Sequence, residues 1–387
     1  MFLMKIAIVA NGFTGATLPL AKHLHDAHFD VDCFYMVPYG NSEIESLNYN
    51  QKMLRNRPSL LPKKNRIYKY LSTDSNIYLL PINSIHRRQK FLLYGILLLL
   101  VNYYRLLRLK HMIRQGKYNI VYIVVHTKYE VSLLKSLLKQ QQKVIADFHE
   151  VLNSHFSDAT LKQEVVNTIK YPIQIIVHSQ KTYNDLIQNA SSDVSAKTHI
   201  IPFGPFESYN VYDVGVKNIE FKENYYLYVG HIAPYKGLSV LYDVFKDESS
   251  RFLVVAGKGK DPVLKKMQNC KNIELINRYI GNEELVSLIA HCRAVICPYL
   301  SASQSGIVQT AIVLKKAVIA SKVGAFPEII NDKKNGMLIE PGNINSLRTA
   351  LKVFEQLDIR EISLEGFPSQ YEWKNIINLY QGVIEHE

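Results

Sequence analysis

A chain of 387 residues with 47% hydrophobic content can bury more than one core, and that length favours two domains over one. Its 46 Lys and Arg against 34 Asp and Glu leave a net charge of +12, and the excess is local: residues 1–200 carry 25 basic against 13 acidic side chains, whereas residues 201–387 carry 21 of each. Four scattered cysteines (Cys33, Cys270, Cys292, Cys297) form no Cys-x-x-Cys pair and have no histidine at zinc-finger spacing, which argues against a disulfide scaffold or zinc module and for reduced, cytoplasmic thiols.

The opening run Met4–Ala10 is too short for a signal peptide and ends in the turn signal Asn11-Gly12, so it reads as the first strand of a sheet. The loop Asn11-Gly12-Phe13-Thr14-Gly15-Ala16-Thr17 then leads into a helix from Leu18 to His25. Its glycines let backbone N–H groups approach phosphate or sugar oxygens, although the spacing matches neither the dinucleotide fingerprint nor the nucleoside-triphosphatase phosphate loop. Further strand-like runs follow at Val31–Tyr35, Ile120–Val125, Val144–Phe148, Ile173–Val177 and His199–Pro202, with a long loop expected from about Ser42 to Lys69.

Between Lys52 and Lys117 stand 15 basic residues and a single acid, Asp74. Inside this segment lies an apolar run, Phe91–Val101, bracketed by Arg87, Arg88 and Lys90 and by Arg105, Arg108, Lys110 and Arg114. Eleven apolar residues fall short of the roughly 20 needed to span a bilayer. Two readings stand: a buried helix with a solvated basic face, or a helix that also rests on an anionic membrane surface. Nucleic acid is not expected, because no recognition motif accompanies the charge. Asp147-Phe148-His149-Glu150 ends one of the strands and brings a histidine and two carboxylates to its tip, where they could meet a polyhydroxylated ligand.

A Gly/Pro turn at Phe203–Ser208, followed by an irregular stretch to about Glu223, marks the linker. The expected domains are residues 1–205 and 206–368, with a C-terminal helix over 369–387 that carries the only tryptophan, Trp373. The second half repeats the strand and helix alternation at Tyr226–Val229, Phe252–Ala256, Ile273–Ile276, Ala294–Cys297, Ala317–Ala320 and Met337–Ile339, which implies parallel sheets with crossover helices. Two glycine turns, Gly230–Gly237 and Gly257-Lys258-Gly259, follow strand ends. The polar loop Ser301-Ala302-Ser303-Gln304-Ser305-Gly306 opens a helix from about Ile307 to Leu314, where free N–H groups and the positive end of the helix dipole suit an anion. Lys236 could place a point charge over the same crevice.

These pieces together resemble the sugar-nucleotide-dependent glycosyltransferases of the GT-B fold, specifically the large retaining group numbered family four. The match lies in Gly230 through Lys236-Gly237, Val255-Ala256-Gly257-Lys258-Gly259, Val318-Ile319-Ala320-Ser321, Val323-Gly324-Ala325-Phe326-Pro327-Glu328 and Asn335-Gly336-Met337-Leu338-Ile339. The resemblance implies an α/β protein of two Rossmann-like domains facing across a cleft, the first binding the acceptor, the second the nucleotide sugar, and a final helix crossing back to the first. By position, Gly230, Lys236, Ser303, Gln304, Ser305 and Gly306 are implied donor contacts, Gly12 and Gly15 border the phosphates, and Arg278, Tyr279 and Ile280 hold the base. His149 is implied to approach the transferred sugar and, with Lys236, to be catalytic.

Two departures from the pattern stand out. His231 replaces the usual arginine, and the usual pair of glutamates falls on Ala302 and Thr310, leaving Thr310 to offer one hydrogen bond to the ribose where a carboxylate would offer two. The activity implied is retaining transfer of a sugar from a nucleotide-diphosphate donor to a polysaccharide or lipid-linked acceptor, without a cofactor or metal; the expected location is cytoplasmic, with the segment from Lys52 to Lys117 as the candidate for peripheral contact with the inner face of the cell membrane. The alternatives are a nucleotide-sugar epimerase or hydrolase, for which the missing carboxylates are unfavourable, and a degenerate binding protein.

Overall fold

The computed structural model describes residues 4–38, 43–44, 47–48, 58–72, 74–83, 93–149, 166–188, 192–212, 224–357 and 366–385. The chain divides into two compact units, Met1–Gly204 with Trp373–Glu387, and Pro205–Glu372. In chain order the first unit contributes β1 (Lys5–Asn11), β2 (Asp30–Pro38), β3 (Glu43–Ile44), β4 (Leu47–Asn48), β5 (Ser59–Leu60), β6 (Ile77–Ile82), β7 (Ile120–Val124), β8 (Lys143–Phe148), β9 (Gln174–Val177) and β10 (Thr198–Ile200). Eight of them form one sheet in the order β10-β9-β8-β7-β1-β2-β6-β5, parallel except for the edge pair β5 and β6, while β3 and β4 pair separately.

The second unit contributes β11 (Tyr226–Val229), β12 (Leu253–Ala256), β13 (Ile273–Ile276), β14 (Ala294–Cys297), β15 (Val318–Ser321) and β16 (Gly336–Ile339), all parallel in the order β13-β12-β11-β14-β15-β16. Buried parallel strands read as continuous apolar runs because helices cover both faces. Each residue of β7, β11, β12, β14 and β15 is accordingly buried.

In both sheets the first strand of the unit lies inside and the order reverses around it, β1 between β7 and β2, β11 between β12 and β14. Ligands of open α/β sheets bind beyond the carboxyl ends of the strands at such a reversal. The loops after β1 and β11 start there. The Trp373–Glu385 helix packs on the first unit, where Trp373 stacks on His23 of the Thr14–Asp26 helix with ring centroids 4.8 Å apart.

Three features differ from the sequence-based expectation. β6 was not anticipated: Pro81 interrupts the signal, and the strand tolerates it because β5 pairs only as far as Tyr78 and Leu79, leaving the Pro81 end on the sheet edge. The stretch expected as a loop from Ser42 to Lys69 contains short strands and begins the Ile67–Leu71 helix. The Leu93–Gln115 helix extends the Phe91–Val101 run, but Phe91, Arg87, Arg88, Lys90, Lys52 and Glu150 lie outside the described residues. Among the described residues no helix is long and apolar enough to cross a membrane.

Burial pushes the Cys33 and Cys292 thiols up to about 12 and Cys297 to about 11. Cys270 is half-buried.

Candidate active site

In the second unit the site is assembled from turns at the carboxyl ends of β11, β12 and β14. Gly257 has φ +150°, and a Cβ there would lie 1.7 Å from the carbonyl oxygen of Gly230; Gly237 has φ +71°, and its Cβ would meet the carbonyl of Pro298 at 1.9 Å. Only glycine permits these backbone approaches. They hold the Gly230–Gly237 turn against the strands on either side of β11.

Lys236 ends the short Pro234–Lys236 turn and lays its ammonium over the ring of Tyr299, 3.6 Å from the centroid, with Tyr235 at 5.1 Å. Tyr299 is fully buried two residues beyond β14, and burial pushes its phenol well above the ordinary value. The same phenol is hydrogen-bonded to the side chains of Ser305 and Cys297. Tyr299 therefore ties the Lys236 turn to the Ser301–Gly306 loop. The residue types alone did not single it out, because its role depends on a register between two loops.

The loop ends at Ser305, the N-cap of the Gly306–Val313 helix, with extended backbone at φ −147°. The Ser305 side chain makes no capping hydrogen bond and no acid stands in the first turn, so the positive end of the helix dipole suits an anion. The Gly324 turn braces the loop from beneath, with Ala325 N donating to Ser303 O at 3.0 Å. Ser303 and Ser305 are buried, while Gly230 is half-buried and His231 exposed.

Arg278 and Tyr279 are exposed, and Ile280 packs on the core. The Arg278 guanidinium forms a paired contact with Glu284 at 2.7 and 2.7 Å, so it is already matched to a carboxylate. Thr310 lies in the Gly306–Val313 helix. It is buried, and its hydroxyl donates to Gly306 O at 2.8 Å within its own helix, as a threonine one turn along a helix commonly does. Neighbouring Gln309 is also buried, and neither of its amide atoms has a hydrogen-bond partner among the described residues.

In the first unit the cluster centres on Asp147, at the end of β8. Its Oδ2 accepts from the Tyr122 hydroxyl at 2.6 Å and from His149 Nε2 at 3.1 Å, and its Oδ1 meets His178 Nε2 at 2.7 Å. His178 Nδ1 in turn faces Ile201 O at 2.7 Å. Burial acts to raise the Asp147 pKa, and the two histidines outweigh it and hold the carboxyl below the usual carboxylate range. Burial lowers the pKa of His149 against the pull of Asp147, which leaves its imidazole neutral at neutral pH.

A carboxylate only accepts, so the single proton of neutral His149 sits on Nε2, and Nδ1 carries a lone pair. Phe13 and Phe203 close edge-on around this ring, with centroids at 4.3 and 4.5 Å, and Phe203 stacks on His178 at 3.7 Å. Gly12, φ +80°, turns the chain out of β1 toward Phe13, and Gly15 is buried in the first turn of the Thr14–Asp26 helix.

The ligand-type atoms of Asp147, His149 and His178 lie within 4.8 Å of one another, and their mutual hydrogen bonds already account for that spacing. Asp30 and Asp32, an Asp-x-Asp pair, open β2 at the opposite end of the sheet, where Lys5 lies 3.7 and 3.6 Å away and Tyr118 donates to Asp32 at 2.7 Å. His178, just past β9, and Tyr122, in the middle of β7, went unnoticed in the sequence because they come from the strands flanking β8. The signal that could have found His178 is a polar residue placed just past the end of an otherwise apolar strand.

Two parallel α/β units with these strand orders define the GT-B fold. Full-length structural matches agree: sucrose-phosphate synthase from Thermosynechococcus elongatus superposes with a TM-score of 0.69 at 16% identity over 99% of this chain and 100% of that one. Anabaena HepE in complex with UDP-glucose gives 0.61 at 14% identity over 99% of each chain, and the UDP-GlcNAc 2-epimerase from Methanocaldococcus jannaschii gives 0.60 at 12% over 99% and 100%. At these identities the likeness speaks to fold alone.

Residues 214–362, most of the second unit, match the family Glycosyl transferases group 1. A curated relative, the uncharacterized glycosyltransferase MJ1178 of Methanocaldococcus jannaschii, is 29% identical over 180 residues, 43% of this chain and half the length of the relative.

Proposed function

We propose that the protein transfers a sugar, with retention of configuration, from a nucleotide-diphosphate donor to a saccharide or lipid-linked acceptor in cell-surface polysaccharide synthesis at the cytoplasmic face of a membrane. The observation that carries this reading is the Lys236 ammonium seated on Tyr299, whose phenol also holds Ser305 at an uncapped helix N-terminus. Departure of a nucleoside diphosphate builds negative charge on the phosphate oxygens, and a fixed ammonium with oriented N–H groups stabilises that charge more in the transition state than in the ground state. The reading assigns phosphate neutralisation to these groups without a metal. Retention follows if the leaving phosphate takes the acceptor's proton on the same face. In the first unit, His149 Nδ1 accepts a hydrogen bond from a hydroxyl of the sugar.

UDP and UDP-glucose occur in complexes of HepE, which makes uridine donors the first to test. A thermal-shift panel of nucleotide sugars followed by mass detection of products provides the experiment. A donor that raises Tm and yields both free nucleoside diphosphate and glycosylated acceptor supports transfer. Nucleotide release or sugar inversion with no glycosylated product indicates a hydrolase or epimerase. Binding without turnover of any kind refutes both enzymatic readings.

A further inference from the structure

The Leu93–Gln115 helix buries Leu109 and Ile113 in its last turns but is built inside out over Leu93–Leu107. On its protein side Asn102 and Arg105 are buried: the Asn102 amide accepts from Asn83 N and donates to Asn83 O and to Tyr129 Oη, each at 3.0 Å, and Arg105 donates to Pro81 O at 3.0 Å. On its solvent side stand Leu93 at 87% exposure, Leu97 at 56%, Leu100 at 60%, Tyr104 at 50% and Leu107 at 44%. Their spacing of 4, 3, 4 and 3 residues draws one apolar stripe about 21 Å long. A surface helix of a soluble domain turns such a stripe inward. A continuous exposed apolar patch marks an interaction surface.

The charge pattern selects the partner. The helix holds no acidic residue, and its C-terminal half carries Arg108, Lys110 and Arg114, with Lys117 just beyond. A second copy docked by the same stripe would set these cations against cations or against leucines, with no carboxylate on either helix to meet them. An anionic lipid leaflet satisfies both halves, since the acyl boundary takes the leucines, phosphates take the basic residues, and tyrosines suit the layer between. We infer that this helix lies in the surface of an anionic lipid leaflet with the Leu93–Leu107 stripe inserted. The inference deepens the proposed use of a lipid-linked acceptor and names the surface by which the enzyme reaches it.

The test uses the full chain and vesicles without any sugar donor, so its outcome is independent of whether transfer is detected. Wild-type protein is expected to sediment with phosphatidylglycerol-containing vesicles at low salt and not with phosphatidylcholine alone. Leu97→Glu with Leu100→Glu should weaken that binding at least about 10-fold. Both positions are exposed, so Tm should hold. Arg108→Glu with Arg114→Glu should cost about fivefold per charge and flatten the salt dependence.

Three results overturn the inference: no sedimentation with anionic vesicles at low salt, undiminished binding by the double leucine variant, or a solution dimer that this variant dissolves while the wild type ignores vesicles. The last outcome would make a second copy the occupant. Loss of transfer to a water-soluble acceptor would count against the proposed function and leave vesicle binding untouched.

Discussion

Asp147→Asn tests whether His149 is held as a hydrogen-bond acceptor. The substitution keeps the side-chain volume and removes the charge. Asp147 receives three contacts, from Tyr122 at 2.6 Å, His149 at 3.1 Å and His178 at 2.7 Å, whereas an amide offers one accepting oxygen and places an N–H group against at least one of those donors. Replacing two charge-assisted bonds by neutral ones and leaving one buried donor unmatched sums to a destabilisation of about 3 kcal/mol or more. The chemical effect is separate. Where the amide nitrogen faces His149, the imidazole proton moves to Nδ1, and the sugar-facing nitrogen turns from acceptor into donor.

One reversed polar contact costs roughly 1–3 kcal/mol, so turnover should fall about 10- to 100-fold. Affinity for the bare nucleoside diphosphate should stay within about twofold, because the proposed function assigns the charged phosphate contact to Lys236 in the second unit. Initial rates below the variant's Tm, calorimetric titration with the nucleotide and 15N spectra of labelled histidine measure all three quantities. Because the folded-state pKa of Asp147 lies below the usual range, its contribution stands above the ordinary carboxylate pKa and is lost as pH falls below it; the variant should lack this acid limb. A less stable variant with wild-type turnover would reduce Asp147 to a fold-holding residue, and an equal loss of nucleotide affinity would contradict the assignment of His149 to the sugar.

Lys236→Ala should lower kcat/KM about 100-fold with Tm little changed, since it removes a charge aimed at developing phosphate charge, and normal kinetics would return Lys236 to an ordinary packed lysine. Glu130, buried in the capping box of the Lys128–Leu138 helix, has its pKa raised by burial to about 7, so its stabilising contribution is present below the unfolded value of 4.5 and lost as pH rises through 7. Glu130→Gln keeps the cap and should remove a loss on the order of 3 kcal/mol across that window, visible as a flatter plot of Tm against pH; an unchanged slope refutes the assignment. Gln309→Leu should raise stability by about 1 kcal/mol in denaturant titrations, because it replaces a buried amide that has no partner, and a lower midpoint would reveal a partner such as bound water.

Apart from β6, the parallel strands of both units were legible because each centres on a short, largely apolar run bounded by polar or turn residues, a pattern that leaves little choice of register or face. The glycine turns of the second unit were legible for the opposite reason, since Gly237 and Gly257 stand where a side chain would strike a carbonyl. What escaped detection was whatever depended on neighbours brought together by the sheet. Asp147 gains His178 and Tyr122 from adjacent strands, and Lys236 gains Tyr299 from the far side of β14. Thr310 was matched by position to a ribose contact, and its hydroxyl spends its donor on Gly306 O within its own helix and keeps its accepting lone pairs. The apolar run was read either as a buried helix with a solvated basic face or as one resting on an anionic membrane, and in the Leu93–Gln115 helix Leu97 and Leu100 are exposed alongside Arg108 and Arg114 while Arg105 is buried. Periodicity identifies a stripe without saying which side of it the protein covers.

The cysteine arrangement has a practical consequence. Three of the four thiols are buried and held protonated at neutral pH, so an alkylating reagent that requires access should find Cys270 alone. The natural sequence thereby provides a single attachment point, in the second unit between the Leu264–Met267 helix and β13, for a fluorophore or spin label that reports on that unit without any engineered substitution.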